Sequence, residues 1–461
     1  MRAAAPVAST DPQLLERRLG PLDAAAVIVS NVIGGGILFT PPQVAASVPS
    51  AILFLSTWVA GGLLAFAGAM AYAELATLRP RAGGEYVYLR DAYGPLAAFL
   101  TGWTSFVAGF AGAIATTAVV FPMYLGRFVP AAGSDAPFFV LPIVPGALQL
   151  TFSPQTICAL VLVWGLAFVH LRGVGPGTLV GNILATLKIS ALVLFVALGF
   201  SFGVGEGANI TQGGAVPPTS WLLALIPVMF TYSGWNAAGY IAEEIRDPGR
   251  NVPRSFAIGT ASVIALYVAL NALYLYVFPI DQLAKVQGSV LDLVADRLLG
   301  GAAGNVMSVV ALISLSASIS AMTFAGPRVY FAMARDGLFF RRLAAIHPRY
   351  RTPAVAIVAQ SVWSSILVLS AETTKLVNYT GFAITLFLGL AVAGLFILRA
   401  REPHAERPFR AIGYPVAPAI YVVASVLILL NGLWRDPGPT GAGAIIIALG
   451  IPVYFWFRRR A

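Results

Sequence analysis

The chain of 461 residues carries 29 Lys and Arg against 19 Asp and Glu, a formal net charge of +10, yet only 10% of it is charged and 58% is hydrophobic. Soluble domains average about 25% charged residues, so this composition, with a mean hydropathy of +0.82, excludes an ordinary soluble domain and indicates an integral membrane protein. The basic excess is interleaved with acids, as in Glu402 to Arg410, and forms no continuous phosphate-tracking face, which argues against nucleic acid as a partner.

Apolar runs long enough to cross a bilayer, about 17 to 25 residues, lie near 23–47, 51–77, 96–125, 155–171, 177–202, 220–242, 255–279, 304–333, 353–371, 376–398, 414–434 and 442–457. They are numbered here as spans 1 to 12, and the expected fold class is all-α. Residues 1–20 contain Arg17 and Arg18 but no apolar signal core, and are expected to be a cytoplasmic tail.

Span 1 contains Ile33-Gly34-Gly35-Gly36-Ile37. Three consecutive glycines cost a helix roughly 1 kcal/mol each relative to alanine, so the helix is expected to unwind there. Unwound backbone at membrane depth has to face protein or a cavity. The half-helix that follows begins with free N–H groups and a partial positive charge, which suits a carboxylate.

Glu74, at the inner end of span 2, reads either as an ion-pair member or as part of a gate, and a Pro-rich loop runs from Phe128 to Pro154. The single cysteine, Cys158 in span 4, rules out an internal disulfide and multi-cysteine metal sites. Lys188 is the one charged side chain near the middle of a span, where lysine costs about 2.5 to 3.5 kcal/mol on insertion scales. A fixed cation holding span 1 through its carbonyls and a titrating amine both fit that position.

Span 6 is broken at Tyr232-Ser233-Gly234-Trp235-Asn236-Ala237-Ala238-Gly239. Its first half, ending near Phe230 and Thr231, presents unpaired carbonyls that suit an ammonium. If the two breaks converge, a positive and a negative pole match the zwitterionic head of an α-amino acid. Asn236 is expected either to bond across the break or to touch substrate. Glu243 and Glu244, beside Arg246, Arg250 and Arg254, read as a surface ion-pair network or as an inner gate.

Between spans 7 and 8, Leu291, Val294 and Leu298 recur at helical spacing, predicting a short amphipathic helix at the extracellular mouth. The segment from Arg328 to Thr352 is Arg-rich and suits anionic headgroups. His170, His347 and His404 lack ligand spacing, and no G-x-x-x-x-G-K-[ST] loop, Ser/His/Asp cluster or HExxH occurs. No metal, no cofactor and no enzymatic activity are expected.

Matched breaks in spans 1 and 6 imply a repeat of five spans plus five; five being odd, the second copy is inverted. The expected units are 21–203, 220–400 and, for spans 11 and 12 with the C-terminus, 401–461. Alternating the loops from a cytoplasmic N-terminus leaves six of the 29 basic residues off the inner side: Arg127, Lys285, Arg297, Lys375 and Arg435 outside, and Lys188 within a span. That is the positive-inside pattern, with both termini cytoplasmic.

Four segments carry a family resemblance: Leu22-Asp23 through Leu38; Leu171-Arg172-Gly173-Val174 with Asn182 and Lys188; Phe230 through Pro248; and Arg328 through Gly337. In these the chain resembles the amino acid-polyamine-organocation superfamily, within it the L-type amino acid transporter branch and its bacterial relatives. The resemblance implies the five-plus-five fold and alternating access. It puts the carboxylate on Ile33 to Ile37 and the amine at the span 6 break, with Thr231, Ser233, Gly234, Trp235 and Asn236 around them and Phe230 as an aromatic gate. It sets Lys188 where related transporters place sodium, with Ser314 or Ser318 of span 8 as polar neighbour. The chain departs from the family's Gly-Ser-Gly at Gly35, which has no hydroxyl to offer a ligand.

The expectation is a bacterial-type inner-membrane secondary transporter of neutral L-amino acids, independent of sodium and working by exchange or facilitated flux. The alternatives are a proton-coupled symporter and, from another class, a non-transporting amino-acid sensor. A disulfide-linked subunit is not expected, since no extracellular cysteine is available.

Overall fold

The computed structural model describes residues 15–459 except 145–147, 203–204, 288, 301–302, 371–372 and 436. The expected tail up to residue 14, and the side chains of Lys375 and Arg435, lie outside the described residues. Nine described helices are long and apolar enough to cross a membrane, and the bent pair Pro21–Val32 and Gly36–Ser47 makes a tenth. Two shorter apolar helices, Pro218–Thr231 and Ala354–Leu369, take the places of spans 6 and 9. The molecule is an all-α membrane protein whose order is that of a five-plus-five inverted repeat with two added helices.

The remaining spans are Ala51–Leu78 (2), Pro95–Leu125 (3), Pro154–Leu171 (4), Val174–Phe202 (5), Pro248–Val277 (7), Ala303–Arg335 (8), Thr373–Arg401 (10), Val416–Arg435 (11) and Pro437–Arg458 (12). Span 8 is the central element, with 72% of its apolar window buried, whereas span 11 buries 17% and lies at the periphery. Span 8 packs against spans 1, 3, 4, 5 and 9, while spans 1, 2, 6 and 7 pack on one another through small residues. A side chain in place of Gly68 would strike the ring of Trp235, and one in place of Gly259 would strike Ile28.

Local chemistry sets the ends of these helices. Ser153 caps span 4, its hydroxyl accepting from Thr156 N at 3.2 Å. Before span 3 a connecting helix, Glu85–Tyr93, follows a turn in which Gly83 and Gly84 both have positive φ. Span 3 itself widens into one π-helical turn at Ser105–Gly109, where Trp363 Nε1 and the Tyr330 hydroxyl donate to the carbonyls of Val107 and Ser105.

At the end away from the chain termini, the Pro-rich loop forms an antiparallel hairpin, β1 (Phe139–Val144) and β2 (Leu148–Phe152), which hydropathy alone does not anticipate. The amphipathic helix between spans 7 and 8 is present as Val290–Leu299, with Leu291 and Val294 buried against the bundle. At the termini end the chain before span 1 pairs with the chain after span 6. Arg18 N and Leu19 N donate to Glu244 O at 2.9 Å, and Arg246 N donates to Leu19 O at 2.9 Å.

Candidate functional site at the two helix breaks

The two halves of span 1 meet at 52°, with residues 33–35 unwound between them. Among the described residues, the N–H groups of Gly34, Gly35, Gly36 and Ile37 find no protein acceptor. The first half of span 6 stops at Thr231, and its turn runs through Gly234 at φ +104° before a short inner helix, Ala237–Tyr240. The carbonyls of Tyr232 and Ser233 accept no hydrogen bond among the described residues.

The breaks converge. A Cβ on Gly36 would lie 3.0 Å from Thr231 Cγ2 and 3.2 Å from its Cα. Asn31 Nδ2 donates to Gly234 O at 3.2 Å, and the Tyr267 hydroxyl of span 7 reaches both Val32 O at 3.0 Å and Thr231 O at 3.3 Å. The break that carries free N–H groups thus packs directly against the break that carries free carbonyls. This is the charge pattern of a carboxylate site next to an ammonium site.

Behind the break, Lys188 is fully buried. Its Nζ donates to Ile33 O, to Ser30 O at 3.3 Å and to Ser318 Oγ at 3.4 Å, and Ser318 Oγ itself donates to Ser30 O at 2.9 Å. One ammonium therefore ties span 5 to the frayed carbonyls of span 1 and to span 8. Ser314 is buried one turn away, and among the described residues no hydrogen bond joins it to Lys188.

Outward of the breaks lies a cavity of about 560 Å³. Phe39, Thr40, Gln43, Phe230, Ser233 and Trp235 line its floor, and spans 10 and 11 form its wall, with no charged side chain among the described residues of the lining. Of the residues expected from sequence, Phe230, Ser233 and Trp235 border this cavity, while Ile33 and Ile37 are buried in packing. The Phe230 ring is half-exposed over the opening. The Thr231 hydroxyl turns to Thr40 Oγ1 at 2.9 Å.

On the inner side the same region is sealed. Arg328 meets Glu244 with both side chains almost wholly buried, Nε to Oε1 at 2.8 Å and Nη2 to Oε2 at 3.2 Å. Arg335 forks onto Glu243 at 3.1 Å twice. Glu243 also accepts from Leu15 N at 3.1 Å and from Ala82 N at 2.9 Å. Glu74 accepts from Arg399 and from Ala411 N, both at 2.6 Å, so it joins span 2 to span 10 and the chain after it.

Asn236 does not bond across the break. Just past the turn its amide points inward and donates to Glu85 Oε1, which also accepts from the Tyr240 hydroxyl at 2.8 Å. Burial pushes the Glu85 carboxyl up to about 7, against the pull of these hydrogen bonds. Glu85, Asn31 and Tyr267 escape a sequence reading because each acts on a partner far away along the chain. The one usable hint is that Asn31 lies one helical turn before the glycine run. Among the described residues no group of three His, Cys, Asp or Glu is placed to hold a metal ion, and His170 instead faces Ser320 Oγ at 2.9 Å.

The family model described as amino acid permease matches residues 19–457. The chain is 30% identical to the mouse "Large neutral amino acids transporter small subunit 2" over 449 residues, 96% of this chain and 81% of the relative. It is 30% identical to the mouse "Asc-type amino acid transporter 1" over 448 residues, 96% and 81% of the two chains. It is also 30% identical to the rat "b(0,+)-type amino acid transporter 1" over 459 residues, 98% and 90%.

Proposed function

The chain belongs to the amino acid permease family, and from that premise we propose that it is a sodium-independent secondary transporter of neutral L-amino acids, working by exchange or facilitated flux through alternating access. It is a transporter rather than an enzyme, and its relatives are named as amino acid transporters. The observation that carries the neutral specificity is the cavity lining: about 560 Å³ of space in which, among the described residues, no Asp, Glu, Lys or Arg stands to meet a charged side chain. A zwitterionic head fits the facing N–H and carbonyl groups of Gly34 to Ile37 and of Tyr232 and Ser233, and an uncharged side chain fits the cavity.

Lys188 supports sodium independence. Its ammonium donates to the carbonyls of Ser30 and Ile33 and places a positive charge where a cation would have to be ligated by them. Phe230 is assigned as the outer gate, and Glu243 and Glu244 with Arg335 and Arg328 as the inner one. The orientation that fits places both termini in the cytoplasm and the protein in the inner membrane of a bacterial-type cell. One relative is named as a small subunit; for this chain no disulfide-linked partner is proposed, because its single cysteine, Cys158, lies within span 4.

The test is uptake of radiolabelled L-amino acids into proteoliposomes, with and without internal amino acid, under imposed sodium or proton gradients. Uptake of neutral amino acids that needs internal substrate and is not driven to concentration by either gradient is the expected result. Concentration driven by the proton gradient would replace exchange with symport, and binding without flux would leave a sensor.

A further inference from the structure

Glu85 is buried, at 6% exposed, at the start of the connecting helix. Its Oε1 accepts from Asn236 and Tyr240, both on the inner part of span 6. Two further bonds join the same pieces: Gly83 N donates to Tyr240 O at 3.1 Å, and Ala82 N to Glu243 Oε2 at 2.9 Å. The turn at residues 79–85 is thus docked on the inner part of span 6, and an inner opening has to separate the two along these bonds.

What surrounds Glu85 decides its charge. The titratable groups facing it are phenols: Tyr72 of span 2, Tyr88 of its own helix, Tyr240 of span 6 and Tyr421 of span 11, with Tyr330 of span 8 behind Tyr240. The carboxylate of Glu243 nearby is matched by Arg335. Among the described residues no Lys or Arg pairs with Glu85, in contrast to Glu74, Glu243 and Glu244. A carboxylate withdrawn from water without a cation is far costlier than its neutral acid. The buried hydroxyls of Tyr72, which stands within reach of Glu85, and of Tyr88 are available acceptors for the acid's O–H.

We propose that Glu85 is a proton-binding site of the transport cycle, protonated while the turn at 79–85 is docked on the inner part of span 6 and deprotonated toward the cytoplasm when they separate. On separation the O–H bond of the acid breaks, the proton passes to water on that side and the carboxylate is hydrated. Redocking reverses the step, with no redox change and no other reactant. The docked carboxyl titrates near 7 and a free one near 4.5. The docked state is therefore the one that gains a proton, and acid on the inner side holds the transporter shut there. Only the link to flux rests on the alternating-access reading above.

Exchange of labelled L-leucine against internal L-leucine is measured in proteoliposomes from pH 5.5 to 8.5, for the wild type and Glu85→Gln. In the same two proteins, hydrogen exchange of residues 237–247 is followed by mass spectrometry. The wild-type rate is expected to rise several-fold through the neutral range, with protection of 237–247 falling in step. Glu85→Gln, a permanent mimic of the protonated form, is expected to give a flat, slow profile and pH-independent protection relative to the rest of the chain. Superimposable pH profiles, or wild-type protection indifferent to pH, would overturn the proposal. If neither protein moves leucine, the transport reading fails by itself, and the protection measurement still decides the fate of Glu85.

Discussion

The carbonyls of Val32 and Thr231 lie 3.0 and 3.3 Å from one hydroxyl, that of Tyr267, so the last turns before the two breaks end on the same donor. Each broken helix leaves carbonyls without intrahelical partners, and one from each shares the single proton of this span 7 hydroxyl. Tyr267→Phe keeps the packing and removes only this hydroxyl. Leaving buried acceptors unpaired costs about 1 to 3 kcal/mol. A lower melting temperature is expected together with weaker substrate binding, measured by thermal shift with and without amino acid; unchanged binding would separate Tyr267 from the site.

The two glycines at the start of the outer half-helix, Gly35 and Gly36, differ in what they face. A methyl on Gly36 meets Thr231 at 3.0 Å, including its backbone, whereas one on Gly35 meets only the Phe39 ring at 3.9 Å, in an ordinary helical conformation. Misplacing reacting or binding groups by about 1 Å can cost about a hundredfold. Gly36→Ala is expected to lower uptake by more than about tenfold, while Gly35→Ala and Gly35→Ser stay within about threefold of wild type. Equal losses at both positions would contradict the convergence of the breaks.

Lys188→Met keeps length and apolarity and removes the ammonium that holds Ser30 O, Ile33 O and Ser318 Oγ. Exchange is expected to fall at least about tenfold, equivalent to about 1.4 kcal/mol in the barrier. Lys188→Arg is not a conservative rescue, because a planar fork does not fit a site shaped for a point charge. Initial uptake rates in proteoliposomes, with reconstituted protein quantified, check both.

The two inner ion pairs should separate by their burial. Arg328→Met leaves Glu244 buried and unpaired, a loss of about 3 to 5 kcal/mol, and is expected to lower thermal stability strongly. Arg335 is partly exposed, and Glu243 keeps its donors from Leu15 and Ala82. Arg335→Met is therefore expected to cost about 1 kcal/mol or less, while raising the solvent accessibility of the span 6 inner part. Thermal melts and hydrogen exchange read the two effects separately.

Glu85 also predicts the pH dependence of stability. Its carboxyl is raised from 4.5 to about 7 by burial, so the folded state binds the proton more tightly than the unfolded one. The penalty for burying it is absent below about 4.5, where both states hold the proton. It grows between there and about 7, and is constant above. Relative to Glu85→Gln, the wild type is expected to lose melting temperature between pH 5 and 8; a gain over that interval would reverse the sign.

How much of this the sequence discloses depends on how local the signal is. Three glycines in a row, one lysine amid apolar residues and a Gly-Trp-Asn turn are departures from a helical run, visible without knowing any neighbour. Span count and the two breaks follow from them. The partner of Lys188 needed coordinates: Ser314 and Ser318 share a helix face, and only rotation about span 8 brings Ser318 to Ser30 O. Asn236 and Glu85 exchange roles for a similar reason. One sits in the break and turns away from it; the other looks like a loop charge and is folded inward by the turn at Gly83 and Gly84.

Glu243 has a further consequence through the number of strangers it serves. Leu15, Ala82 and Arg335 come from the chain before span 1, the turn after span 2 and the end of span 8, and all three end on its two oxygens. A clasp with one shared pin does not fray strand by strand: whatever withdraws the pin frees three segments together. For a protein that has to admit a solute of amino-acid size while keeping small ions out, an inner face with two positions and few between them is a protection against leak.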